Sequence, residues 1–142
     1  MSIVKRYFYF NVDHAIQTHE WIINHSGGLR GIKDITQLES PLIHIQNDDY
    51  YPKMEDKLTH LVFSVNKNHA FNDGNKRSSL ALGAYFLELN GFDYVVQRFI
   101  HEMENIAVWV ADNVINKSLL HEIIISLLYE EDYSEALKLA MV

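Results

Sequence analysis

Nine residues constrain this chain more than any other stretch: His69-Ala70-Phe71-Asn72-Asp73-Gly74-Asn75-Lys76-Arg77. An imidazole, a carboxylate, a glycine, two amides and two cations stand together, and Ser78 to Asn90 then reads as a buried helix. A polar loop entering a helix N-terminus brings unpaired backbone N–H groups and the positive end of the helix dipole to one place, which makes an anion site. Gly74 permits a positive φ or a close backbone approach to a phosphate. Asn75 suits an N-cap. Lys76 and Arg77 add positive charge, Asp73 offers oxygen to a hard cation, and His69 is the residue type suited to proton transfer near neutrality.

The rest of the 142-residue chain supports a single domain, 1–142, with a core of its own. Hydrophobic residues make up 48% and charged residues 22%, as in soluble globular proteins. With no cysteine there is no disulfide or thiolate chemistry. A net charge of −7 argues against direct nucleic-acid binding. No long apolar run and no leader-like N-terminus is visible, so the expectation is a cytoplasmic protein without membrane association.

Two prolines and six glycines predict long helices with short connections. After a short extended aromatic run, Tyr7 to Phe10, a helix capped by Asn11 or Asp13 is expected through Asn24, with Val12, Ala15, Ile16, Ile22, Ile23 and part of His19 on its buried stripe. His19 reads as a packing histidine. Asp34 is the expected cap of a second helix, with Gln37 at the capping-box position, Leu38 and Leu42 buried, and Pro41 limiting or kinking it. Glu39 has two readings, a helix-surface charge or a group orienting the site, and the residues alone favour the first. Ile43 to Lys53 is irregular, and His44 with Asp48 and Asp49 matches no usual metal spacing. Glu55 to Asn66 is a helix with Leu58, Leu61, Val62 and Val65 inward. The helix after the loop is apolar nearly all round and stops at Asn90-Gly91. Phe71 reads as a core anchor. Phe92 to Val96 reads as an extended connector. Further helices are expected over Arg98 to Asn113, with Ile100, Met103, Ile106, Ala107 and Val110 inward, and from a Ser118 cap onward. The tail, 133–142, is a packing or partner helix.

His69-x-Phe71-x-Asp73-Gly74-Asn75-Lys76-Arg77 resembles the signature of the Fic/Doc superfamily, in its Doc (death-on-curing) form. Gly31 to Ser40 resembles the segment that precedes the loop in Doc-like chains. Fic proteins proper usually carry glycine at the position of Lys76 and often an arginine at that of Leu80, so both positions point to the Doc branch. Gly74 is shared with Fic proteins, where some Doc members have alanine. The resemblance implies an all-α Fic/Doc-type helical bundle, the active loop between two core helices and a short flap from Ile43 to Lys53. It implies His69 as general base, Asp73 holding Mg²⁺, and Asn72, Gly74, Asn75, Lys76 and Arg77 binding ATP. It further implies a toxin of a toxin–antitoxin pair, a protein kinase acting on a translation factor such as elongation factor Tu, with a Phd-like antitoxin as partner. A protein adenylyltransferase and a non-enzymatic phosphate- or partner-binding module are the alternatives. Ser126 to Glu130 matches the short self-inhibitory pattern of some Fic proteins; with Leu80 in place of the arginine it would pair with, that match reads as chance.

Overall fold

The computed structural model describes residues 6–130 and 133–141. Among these it is all-α, with helices α1 (Val12–Ser26), α2 (Thr36–His44), α3 (Met54–Lys67), α4 (Asn75–Leu89), α5 (Val96–Ala111), α6 (Lys117–Tyr129) and α7 (Glu135–Ala140). None of them is long and apolar enough to cross a membrane.

The central pair is α3 and α4, joined by the nine-residue motif. Around them, α1 packs on α4, α2 and α6 pack on α3, and α5 packs on both. The α3 stripe behaves as its periodicity dictates: Leu58, Leu61, Val62 and Val65 are wholly buried. So are Leu82, Phe86 and Leu87 of α4, and both ends of the motif are therefore anchored in one core.

Local chemistry sets most helix ends. The Asn11 side chain accepts from the His14 N–H and starts α1. Asn90 ends α4 and exchanges hydrogen bonds with the Phe8 backbone, fixing the chain before α1. Lys57, wholly buried, donates to the Ile45 carbonyl and to Asp48, both at 2.7 Å, and so holds the turn after α2 against α3.

Several sequence expectations are corrected. The helix after the loop begins at Asn75, three residues before Ser78, and Gly74 rather than Asn75 occupies its cap position. Asn116, not Ser118, caps α6, accepting from the Leu119 N–H. Asp34 sits one residue before the cap position of α2, although its carboxylate still takes the Thr36 N–H. Pro41 lies inside α2 rather than ending it. Phe92 to Val96 forms a 3₁₀ turn over Asp93–Val95. On α5 Met103, Ile106, Ala107 and Val110 are inward as expected, but the stripe is continued by Phe99, four residues before Met103, while Ile100, three before it, is 45% exposed. In the tail, α7 rests on α6 through Leu137; Val142 lies outside the described residues.

Candidate active site

The loop begins strained. His69 has φ +53 and is exposed, a conformation that costs a non-glycine residue about 1 kcal/mol or more. Two residues on, Phe71 is buried to 1% exposure. The chain thus turns the His69 ring outward and the Phe71 ring inward within three positions.

Phe71 lies against α1. The His19 imidazole is stacked on it, ring centroids 3.7 Å apart and planes 2° from parallel, and His19 Nε2 donates to the Asp73 carbonyl at 2.7 Å. Asn75 closes the turn from the other side: its Oδ1 accepts from the Phe71 N–H at 3.1 Å and its Nδ2 donates to the Phe71 carbonyl at 3.0 Å.

A second wall comes from residues 27–34. Ile32 and Phe71 form an isolated antiparallel bridge, and the Lys33 and Asp34 N–H groups both reach the Ala70 carbonyl. Asn72 is tethered to the same segment, its N–H to the Gly31 carbonyl and its Nδ2 to the Arg30 carbonyl, each at 3.1 Å. Arg77 Nη1 donates to the Gly27 carbonyl at 3.1 Å. The expected flap, Ile43 to Lys53, goes elsewhere: His44 and Tyr51 bond His60, and Asp48 bonds Lys57. The hydrogen bonds that flank the loop come from 27–34, a stretch whose glycines and irregular pattern carry no sign of its destination.

Asp73 is held as an anion. Its Oδ2 accepts from the Leu29 N–H at 3.0 Å and its Oδ1 from the Gly74 N–H at 2.8 Å. The Leu29 hydrogen bond, then that of Gly74, with Arg77 and His19 nearby, keeps the carboxyl below its usual range. Each oxygen keeps a lone pair for a cation. Gly28 makes this possible: a Cβ there would lie 2.6 Å from Asp73 Oδ2, and its φ is +119.

Beyond Asp73 the chain enters α4 through Gly74 at φ +77, with no side-chain cap. The first-turn N–H groups of Asn75, Lys76 and Arg77 thus lack helical partners. That turn contains no acid and two cations, the arrangement the helix dipole disfavours by about 0.3–1 kcal/mol per charge. An anion at this end would reverse the sign of that interaction. Lys76 is exposed and Arg77 half-buried. A cavity of about 380 Å³ opens beside the loop, lined by His19, Glu20, Ile23, Asn24, Arg30 and Gly31.

The residues therefore suit a divalent cation with a polyphosphate. No group of three or more His, Asp or Glu side chains gathers as a metal cage among the described residues. Mg²⁺ needs none when one carboxylate shares it with phosphate oxygens. The site thus joins a held carboxylate, an uncapped helix start, two cations and an exposed imidazole. The sequence marked His69, Asp73, Gly74, Lys76 and Arg77 as site residues, and the structure gathers them. Asn72 and Asn75, marked with them, turn their amides to backbone, Asn72 through Nδ2 to Arg30 and Asn75 through both ends to Phe71. Glu39, half-buried on α2, sends no hydrogen bond to the loop. His19 is the packing histidine that its place on the buried stripe indicated; its hydrogen bond to the Asp73 carbonyl is what residue order does not show.

A sequence model of the Fic/DOC family matches residues 9–87, which run from the segment before α1 into the last turn of α4. The chain belongs to the Fic/DOC family. It is 32% identical over 89 residues to "Toxin Doc" of Mycolicibacterium smegmatis (strain ATCC 700084 / mc(2)155), covering 60% of this chain and 68% of that protein. It is 32% identical over 83 residues to "Protein kinase doc" of Escherichia phage P1, covering 56% of this chain and 65% of that protein. The family match takes in every element that builds the site, and α5, α6 and α7 lie beyond it.

Proposed function

We propose that this Fic/DOC chain is the toxin of a toxin–antitoxin pair and a protein kinase, moving the γ-phosphate of ATP to a hydroxyl of a translation factor, with elongation factor Tu the expected target and a Phd-like protein the expected antitoxin. One observation carries the site reading: the uncapped start of α4 bears Lys76 and Arg77 and no acid, beside a carboxylate held ionised by two backbone N–H groups. A fold keeps such a destabilising arrangement where an anion with a cation bridge completes it. The names of the two relatives support toxin and kinase.

Mg²⁺ with the triphosphate, when bound, supplies the transferable phosphoryl group and neutralises its charge. Asp73 would hold the metal. The α4 N–H groups and Lys76 would bind phosphate oxygens, and Arg77 would share its guanidinium between them and the Gly27 carbonyl. The cavity beside Arg30 and Asn24 has room for the nucleoside end. The His69 imidazole, turned outward, would take the proton of the target hydroxyl as its oxygen bonds phosphorus and ADP leaves. Most of the acceleration would come from positioning and charge stabilisation.

The test is transfer of label from ATP marked in turn at the α- and γ-phosphate, with Mg²⁺ and a bacterial lysate, using wild type and His69→Ala. Label on a protein from γ-ATP alone, lost in His69→Ala, is the expected result. Label from α-ATP alone would replace this reading with adenylyl transfer. No His69-dependent label from either would leave a binding module.

A further inference from the structure

A second cluster of titratable groups lies on the α6 side of α3, sharing no residue with the loop site. There, Tyr50, Tyr51, Asp56, Thr59, Lys117, Ser118 and His121 line a cavity of about 340 Å³. We propose that this cavity binds a small oxyanion ligand, one that joins a phosphate or carboxylate to a flat apolar group.

The central observation is a cation without a counter-ion. Lys117 Nζ lies 2.7 Å from His60 Nδ1, and no carboxylate pairs with it among the described residues. Asp56 lines the same cavity, but its Oδ1 takes His121 Nε2 at 2.7 Å and its Oδ2 the Lys53 N–H at 3.0 Å. His60 is buried, and its Nε2 meets His44 Nδ1 at 3.0 Å. Burial, then Lys117 and His44, push it down to about 4, so it is neutral and offers one lone pair. With the Lys117 ammonium donating to Nδ1, Nε2–H donates onward to His44. One N–H of Lys117 is thereby used and two remain.

Other donors converge on the same space. The Tyr51 hydroxyl lies 3.2 Å from the same His60 Nδ1, whose single lone pair is already taken, so its proton is available to another acceptor. Asn116 caps only the Leu119 N–H, which leaves the Lys117 and Ser118 N–H groups at the start of the 13-residue α6 without helical partners. Thr59, 2% exposed on the cavity wall, has a hydroxyl with no hydrogen-bond partner. Burial without an opposite charge presses the Lys117 ammonium below its usual pKa. An oxyanion would satisfy the ammonium and at least two of these donors together. The walls supply the apolar half of the preference: Tyr50 is 78% exposed at the rim and Lys117 lies over the Tyr51 ring, a surface on which a flat group stacks. The site is also separate in space. Thr59 lies eight residues before Lys67, where α3 delivers the loop, about 12 Å along the helix.

The full chain is titrated with phenyl phosphate, benzoate and inorganic phosphate, reading heat of binding and the ring signals of His60 and His121 by NMR. Inorganic phosphate also suits the start of α4, so Lys76→Ala is the control for that site. Phenyl phosphate or benzoate is expected to bind at least tenfold more tightly than inorganic phosphate and to move the His60 and His121 signals in wild type and Lys76→Ala alike. Lys117→Met should weaken binding at least tenfold. Tyr50→Ala, at an exposed position with little effect on folding, should bring phenyl phosphate down towards inorganic phosphate. Three results overturn the proposal: no movement of the His60 and His121 signals at millimolar probe, binding unchanged in both Lys117→Met and Tyr50→Ala, or binding that Lys76→Ala abolishes. The first measured preference between phenyl phosphate and benzoate assigns the oxyanion.

Discussion

His19 and Phe71 lie face to face across the α1–loop junction, ring centroids 3.7 Å apart, while the same imidazole donates to the Asp73 carbonyl two residues further on. One side chain therefore fixes both the buried anchor of the loop and the backbone of its carboxylate. His19→Ala removes the stack and leaves a cavity and an unpaired carbonyl, which should cost about 2–3 kcal/mol. His19→Gln, which keeps a donor, should recover part of it. Thermal unfolding reads the stability, and labelled-phosphate transfer should fall at least tenfold in His19→Ala.

Gly28 and Gly27 offer a matched pair. Both have positive φ, but a Cβ at Gly28 would lie 2.6 Å from Asp73 Oδ2, whereas one at Gly27 meets nothing within 4 Å. Each alanine variant should lose about 1 kcal/mol or more to backbone strain. Only Gly28→Ala should also displace the carboxylate, lowering transfer at least tenfold and raising the Mg²⁺ needed for half-maximal rate. Equal losses in the two variants would remove the contact with Asp73 as the reason for glycine at 28.

Asp73 has a folded pKa held below its unfolded value by the Leu29 and Gly74 N–H groups. The stability this adds is present above the ordinary carboxylate pKa and is lost only as pH falls through the depressed folded value. At ordinary assay pH the group stays ionised, so it does not set the acid limb of a rate profile. Asp73→Asn should thus lower transfer roughly 100-fold, the scale of a misplaced reactant, at every pH, without moving that limb. A limb that moves in Asp73→Asn would show the carboxyl titrating in the assay range.

His60 gives the same pH sign in a higher window. Its folded value is about 4 against 6.5 unfolded. Between these, the unfolded chain binds a proton that the folded chain does not. Stability therefore falls as pH drops from above 6.5 towards 4. The full effect is at most about 3 kcal/mol, of which about 1–2 kcal/mol should be lost between pH 7 and pH 5. Urea unfolding of wild type and His60→Gln at these two pH values checks it: the variant should lose less stability over the interval.

Much of the fold was legible from residue order. Apolar spacing marked the buried faces of α3 and α4, Asn11 marked the start of α1, and Asn90-Gly91 the end of α4. Where the reading failed, the rival was a neighbouring residue of similar chemistry. Asn116 and Ser118 both suit a cap, and Phe99 and Ile100 are both apolar and stand four and three residues before the buried Met103, spacings that both keep to one helix face, so packing rather than residue order chooses between them.

The sequence by itself determined the chemistry of the loop and its family, since His69, Asp73, Gly74, Lys76 and Arg77 stand in one short stretch. It also determined that two apolar helices flank them, because periodicity records which face of a helix avoids water. Only the tertiary structure decided what holds that chemistry in place: residues 27–34 beside the loop, His19 under Asp73 across 54 residues of chain, and Lys117 against His60 across 57. The physical reason is that burial has a period along the chain, whereas a hydrogen bond between distant segments has none. Many of these bonds use backbone N–H and carbonyl groups that every residue carries, and their partners are chosen only when the helices pack.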